Sequence, residues 1–97
     1  MFRIIKVEGE SMFPEYNNGD YVIVSRFPLL FNMIKINSVL VFNSREYGIL
    51  IKKVADMDKA QKRYFFKGTN QMSITTEMIG AIDAKDIIGA VLLHFKK

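Results

Sequence analysis

Short runs of β-branched and aromatic residues, separated by turn signals, restrict the fold of this chain more than any other feature. Turn-forming residues stand between them, as in Asn18-Gly19 and in the loop that ends at Gly48. The runs cover residues 2–7, 21–24, 38–42, 49–54, 63–67 and 87–95. Helical periodicity is weak and confined to residues 71–82. The pattern predicts an all-β domain of six or seven short antiparallel strands that roll up to limit exposed edges.

The length of 97 residues predicts one domain, residues 1–97, with a modest core. The absence of cysteine excludes disulfides, thiolate zinc sites and a cysteine nucleophile. No apolar run approaches the ~18–20 residues of a membrane helix, and charged residues interrupt the apolar N-terminal segment, which argues against a signal peptide. We therefore expect a soluble chain, cytoplasmic or peripheral to a membrane.

The charge pattern bears on partners. The net charge is +4, but basic residues are interleaved with acidic ones along the chain and form no stripe. Nucleic-acid-binding domains usually concentrate their positive charge on one element. The sequence therefore predicts no nucleic-acid partner, and it carries no signal for an oligomeric state.

The segment from Phe27 to Ile34 is unusually apolar for a connection between strands. Pro28 argues against a central strand there. We expect most of these side chains to cap one end of the core. The alternative is a partly exposed patch that contacts a membrane surface or a partner.

The inventory of catalytic groups is short. His94 is the single histidine and lies in an apolar run, where a strand residue is a better interpretation than a base. The carboxylates show no metal-ligand spacing, so we predict no metal and no cofactor. Gly9-Glu10-Ser11 lacks the lysine ending and the helix of a phosphate-binding loop. The remaining possibility is nucleophilic catalysis by the Ser11 hydroxyl with a base other than histidine. Ser11 could equally cap a helical turn that begins at Met12.

A lysine can activate a serine only when its amine is neutral. An unperturbed lysine has a pKa of about 10.4, and burial can lower that value by as much as ~3–5 units. Lys52 and Lys53 are embedded in the apolar run at residues 49–54. Strand alternation places the two lysines on opposite faces of the strand. Because both faces are apolar, alternation alone does not show which lysine could be the base. Lysines in strands also commonly protect sheet edges from aggregation.

The motif Val7-x-Gly9-x-Ser11-Met12-x-Pro14, followed by Gly19-Asp20, resembles the nucleophile box of the Ser/Lys peptidases. That superfamily includes bacterial signal peptidase I and the self-cleaving domain of the LexA repressor. Residues 39–42 and Ile51-Lys52-Lys53-Val54 are similar to the strand pair that carries its general base. The resemblance covers nearly the whole chain and implies the small rolled β-sheet of that superfamily, nearest its compact soluble members.

The resemblance also implies roles. Ser11 would attack the scissile carbonyl of a leader or signal-like peptide, and Lys52, the first lysine of its motif, would accept the proton. The Ser11 backbone N–H would help to hold the oxyanion. Gly9 stands where some signal peptidases supply a hydroxyl group. Met12 and Pro14 would shape the turn, with Gly19 and Asp20 as structural residues of the same motif.

A further match is less complete. Gly68, Asn70 and Ser73 look like the closing box of the signal peptidases, in which Ser73 would support Lys52. Thr69 replaces the expected aspartate, and Thr75-Thr76-Glu77 replaces Asp-Ser-Arg. The alternative function is therefore a catalytically inactive binding or regulatory module on the same fold. The segment from Phe27 to Ile34 falls where signal peptidases place a membrane-contacting surface, which implies peripheral membrane contact.

Overall fold

The computed structural model describes residues 2–9, 12, 15–67 and 79–97. Within these ranges the chain is all-β, as predicted, with seven strands, one short α-helix and one 3-10 turn. The strands are β1 Arg3–Lys6, β2 Tyr21–Ser25, β3 Val39–Ser44, β4 Gly48–Asp58, β5 Arg63–Lys67, β6 Ile82–Asp83 and β7 Ile87–Phe95. The helix α1 spans Phe27–Leu30, and the 3-10 turn spans Ala84–Asp86.

The strands form one antiparallel sheet in the order β1-β2-β7-β3-β4-β5-β6. β3, β4 and β5 form an antiparallel meander, with a three-residue turn at 45–47 between the first two strands. Gly48 follows that turn with a φ of +75°, a conformation that glycine adopts at little cost. The last strand, β7, lies between β2 and β3 and so joins the two halves of the sheet.

Gly89 in β7 allows an unusually close contact with β2. A Cβ atom at this position would lie 2.9 Å from backbone atoms of Ser25, so a larger residue would force the strands apart. Register shifts between Ile23 and Val24 in β2, and between Val41 and Phe42 in β3, flank this contact. Gly89 therefore marks a close backbone approach between β7 and β2.

Two groups of buried side chains form the core. The first surrounds Phe42 and Phe66, whose stacked rings have centroids 4.1 Å apart, and it includes Leu40, Val54 and Ile87. We call it the Phe42 cluster. The second, the Met12 cluster, contains Val7, Met12, Val22, Val24, Val41 and Ile51. The chain that carries the serine motif therefore lies against the second cluster.

The prediction that residues 27–34 cap the core is wrong for most of the segment. Ile34 is buried and Leu29 packs on the Phe42 cluster, but Phe27, Leu30 and Phe31 are exposed. Pro28 starts a one-turn helix in which positions i, i+3 and i+4 share a side, so these three side chains point away from Leu29. The alternative interpretation, a partly exposed patch, is the one that the structure shows.

Candidate active site

Lys52 is the most unusual residue of the described chain. Its side chain is 0% exposed, although lysine is among the residues least often buried. The Nζ atom has no hydrogen-bond partner among the described residues. Burial alone lowers the pKa of the amine, because a charged ammonium loses its hydration in this environment. The neutral form of Lys52 is therefore easier to reach than that of an exposed lysine, and only the neutral amine can act as a base.

The burial of Lys52 follows from its place in β4. It pairs with Leu40 of β3, and strand alternation puts it on the same face as Leu50 and Val54. Leu40 and Val54 are fully buried members of the Phe42 cluster, against which Leu50 also packs. The lysine thus occupies a position that an aliphatic core residue would otherwise fill.

Lys53 has the opposite environment. Its Nζ lies 2.7 Å from Oε1 of Glu15, and both side chains are partly exposed. This ion pair joins β4 to the loop that follows Met12. Of the two lysines, Lys52 is therefore the buried one, whose environment disfavours a charged amine, and Lys53 is the one bound to a carboxylate at the surface.

The loop between β1 and β2 carries the serine motif and is closed by backbone hydrogen bonds. Val7 N–H donates to the Asp20 carbonyl over 2.7 Å, and Gly19 N–H donates to the Val7 carbonyl over 2.8 Å. Gly9 has a φ of +84°, and its N–H donates to Oδ1 of Asn18 over 3.0 Å. Met12 is buried in the cluster named for it. Both ends of the loop are thus held at the end of the β1–β2 pair.

Asp20 attaches this loop to the end of β7. Its buried carboxylate accepts hydrogen bonds from the backbone N–H of Lys97 and of Asn17, and it lies 2.7 Å from Nε2 of His94. These contacts, the Lys97 N–H first among them, lower the pKa of Asp20 to about 2. The Tyr16 ring stacks on His94 with centroids 4.4 Å apart. Five residues from two parts of the chain, 16–20 and 94–97, therefore meet where the β1–β2 loop ends.

Replacing Asp20 by asparagine should lower the free energy of unfolding at neutral pH. The pKa of Asp20 is depressed in the folded state, so its contribution is present above the ordinary value of 3.8 and is lost as the pH falls through about 2. The free energy of unfolding of the variant should therefore fall less steeply than that of the wild type as the pH decreases from 3.8 to about 2. Urea unfolding at several pH values measures both effects.

The matched control for this experiment is Asp83→Asn. Asp83 pairs with Arg63 at 3.2 Å, but both side chains are about half exposed, and such surface pairs contribute only ~0–1 kcal/mol. Two results would contradict the role of Asp20 in attaching the loop to β7. One is an equal loss of unfolding free energy in the two variants, and the other is a pH dependence below 3.8 that is the same in Asp20→Asn and the wild type.

A cleft lies between the strands that carry the two motifs. It has a volume of about 300 Å³ and is lined by residues 5–8 on one side and 49–51 on the other, with Val22 and Val41 as part of its lining. β1 is an edge strand of the sheet. The pairing of β4 with β5 begins at Lys53, so among the described residues 48–52 have a strand partner on the β3 side only. The cleft therefore lies between two strand edges. It is bordered by Ile51, the residue before Lys52 in β4, but Lys52 itself is not among its lining residues.

Several predicted site residues lie outside the described residues, namely Ser11, Pro14, Gly68, Asn70 and Ser73. Of the others, Gly9, Met12, Gly19 and Asp20 belong to the closed loop, and Lys52 lies in β4, which β7 and β3 separate from β2 in the sheet. No group of three or more His, Cys, Asp or Glu residues that could hold a metal occurs in the part of the chain that the structure describes.

The sequence did not predict the side-chain partners of Asp20 and Lys53. The His94–Asp20 contact depends on the pairing of Val22 with His94 between β2 and β7. The Glu15–Lys53 ion pair likewise joins residues 38 positions apart. Neither spacing is a motif, so only a prediction of strand pairing could have found these contacts.

Comparison with known proteins finds a distant relative. The chain is 25% identical over 99 residues to Signal peptidase I V of Bacillus subtilis (strain 168), and the alignment covers 87% of this chain and 59% of the relative. The chain is thus distantly similar to a signal peptidase and spans less than two thirds of its length. No family model matches the chain, and no solved structure matches it significantly.

Across residues 2–9, 12, 15–67 and 79–97, no helix is both long and apolar enough to cross a bilayer.

Proposed function

We propose that this chain is a serine endopeptidase that uses a Ser11/Lys52 dyad to cleave a leader or signal-like peptide segment. The observation that carries the proposal is the fully buried Lys52 amine, which lacks a hydrogen-bond partner among the described residues and has a lowered pKa. The similarity to a signal peptidase supports the reaction class. The serine motif supports the identity of the nucleophile.

The chemistry requires a proton acceptor for the serine hydroxyl. Ser11 Oγ attacks the scissile carbonyl carbon as neutral Lys52 Nζ takes the hydroxyl proton. The tetrahedral intermediate collapses, the C–N bond breaks, and the Lys52 ammonium gives its proton to the leaving amine. Water then attacks the acyl-enzyme with Lys52 again accepting a proton, which returns to Ser11 as the carboxylic acid leaves. The balance needs water as the only further reactant, so no metal or cofactor enters.

The cleft supports a peptide substrate in extended conformation. An extended peptide that adds to a strand edge gains main-chain hydrogen bonds, with alternate side chains entering pockets. The segment at 5–8 and the first half of β4 supply such edges on the two sides of the cleft. Its lining includes Ile5, Val7 and Ile51, and its volume of about 300 Å³ suits small or moderate apolar side chains near the cleaved bond.

A serine-directed acylating probe tests the proposal without knowledge of the natural substrate. The wild-type chain should gain one probe mass on Ser11, located by peptide mass spectrometry, whereas Ser11→Ala should gain none. Ser25→Ala is a suitable control because Ser25 is a buried serine of β2 that lies outside the serine motif.

Two results would contradict the proposal. Absence of labelling at any pH would favour the alternative, a catalytically inactive binding or regulatory module. Equal labelling of Ser11→Ala would show that the reactive group is another residue.

A further inference from the structure

We propose that His94 is a positioning residue of the Ser11/Lys52 site, which holds the loop that carries Ser11 from strand β7. The proposal rests on the peptidase function proposed above and gives a role in it to a residue outside both sequence motifs. In this role His94 is not a base. It acts through two loop residues that its side chain contacts, Asp20 and Tyr16.

The hydrogen bond between His94 and Asp20 has a defined direction. Nε2 of His94 lies 2.7 Å from Oδ2 of Asp20, and 19% of the His94 side chain is exposed against 2% of the Asp20 side chain. Because the pKa of Asp20 is lowered to about 2, its carboxylate is ionised at neutral pH and can only accept hydrogen bonds. Nε2 of His94 therefore carries a hydrogen and donates a charge-assisted hydrogen bond, which is the stronger kind.

His94 differs from the other donors to this carboxylate by its place in the fold. The backbone N–H of Asn17 belongs to the loop itself, and the N–H of Lys97 lies beyond the end of β7 at Phe95. His94 lies within β7 and pairs with Val22 of β2. Its side chain therefore ties the loop to the sheet, whereas the other two donors belong to the loop and to the segment after β7.

The two residues that His94 contacts hold the loop on both sides of its nucleophile. On one side, the Asp20 carbonyl accepts the Val7 N–H over 2.7 Å. On the other side, the Tyr16 N–H donates over 2.8 Å to the carbonyl of Met12, the residue after the nucleophile. The Tyr16 ring lies against the His94 imidazole, with centroids 4.4 Å apart. Such support matters for rate, because a misplacement of about 1 Å can cost roughly 10²-fold.

Two amide variants test whether this hydrogen bond positions the nucleophile. In His94→Gln the amide N–H reaches about as far as Nε2 and should restore the bond to Asp20, whereas the shorter amide in His94→Asn should not reach it. At saturating serine-directed probe, the maximal rate of acylation should fall by roughly 10- to 100-fold in His94→Asn and stay within about threefold of the wild type in His94→Gln. The probe concentration at half-maximal rate should change little in both variants, because His94 acts through the loop and not on the substrate.

Amide hydrogen exchange measures the hold on the loop without any need for peptidase activity. The N–H groups of Val7 and Tyr16 donate the two hydrogen bonds of the loop, and in His94→Asn they should exchange roughly tenfold faster than in the wild type. The Val54 N–H donates to the Ser38 carbonyl on the β3–β4 side of the sheet. It should exchange at an unchanged rate, which separates local loosening of the loop from general unfolding.

Ile82→Val is the control for a general loss of stability. It removes one carbon from the buried Phe42 cluster in β6, at the opposite edge of the sheet from β1. This variant should melt at a lower temperature and keep the wild-type rate of acylation.

The outcomes separate this proposal from the proposed function. An unreactive wild-type chain would refute the proposed function and the positioning role with it. A reactive wild type with an equal rate in His94→Asn would overturn the positioning role alone. Equal losses in His94→Gln and His94→Asn, or unchanged exchange at Val7 and Tyr16, would also overturn it.

Discussion

Replacing Lys52 by methionine should reduce acylation and peptide cleavage by about 10²- to 10⁴-fold, the usual contribution of a general base. Methionine has nearly the same length and shape as lysine but accepts no proton at neutral pH. Because Lys52 is fully buried among aliphatic residues, methionine should fill the same space without a cavity. The loss of activity should therefore appear without loss of the fold.

The stability of this variant makes the prediction sharper. A buried amine without a hydrogen-bond partner among the described residues destabilises the folded state, so its removal should leave the melting temperature unchanged or raise it. A functional residue that costs stability is expected at an active site and not in a purely structural core. Paired measurements of melting temperature and of probe acylation check both expectations.

Lys53→Met is the matched control, because it makes the same chemical change one residue further along β4. Lys53 is bound to Glu15 at the surface, so its replacement should change acylation by less than about threefold and stability by ~0–1 kcal/mol. Ser11→Ala should be inactive like Lys52→Met. An active Lys52→Met variant, or an inactive Lys53→Met variant that is still folded, would show that the base is wrongly assigned.

The rate of Ser11 acylation should rise with pH, by about tenfold per unit, as long as the pH is below the pKa of Lys52. The reason is that only the neutral amine accepts the serine proton, and its fraction increases tenfold per unit in that range. Because burial lowers the pKa of Lys52, the rate should level off at a pH below 10.5. Probe labelling over a pH series, quantified by intact mass, measures the profile.

The same pKa shift should appear in the stability of the fold. Lys52 binds its proton less tightly in the folded state than in the unfolded chain, so the unfolded state holds more protons between the two pKa values. The free energy of unfolding should therefore rise with pH from the folded pKa of Lys52 up to 10.5, its unperturbed value. This rise should be absent in Lys52→Met and present in Lys53→Met. A pH profile of acylation that is flat, or identical in the wild type and Lys52→Met, would contradict the role of Lys52.

Much of the sheet could be read from local composition. The runs at Arg63–Lys67 and Ile87–Phe95 became β5 and β7 with the expected bounds. β4 continues to Asp58, beyond the predicted end at 54, because a register shift between Val54 and Asp56 lets polar residues pair with β5. β6 has two residues, and pairing with β5 defines it rather than any apolar run.

The segment after β2 shows where composition misleads. Apolar residues usually indicate burial, yet Phe27, Leu30 and Phe31 are exposed because a single helical turn can place only one side against the sheet. The sequence contained the hydrophobic residues but no information on which side of α1 the sheet would cover.

The two lysines of β4 mark the division between local and tertiary information. Local sequence placed both in one apolar strand and on opposite faces, because strand alternation is a property of neighbouring residues. The different surroundings of the two lysines depend on residues far along the chain: Lys52 pairs with Leu40 of β3 and is fully buried, whereas Lys53 forms an ion pair with Glu15. The ionisation of an amine depends on its whole surroundings, so its environment is settled only when the sheet has assembled. The attachment of the serine loop through Asp20 and His94 arises in the same way, since β7 must first pair with β2.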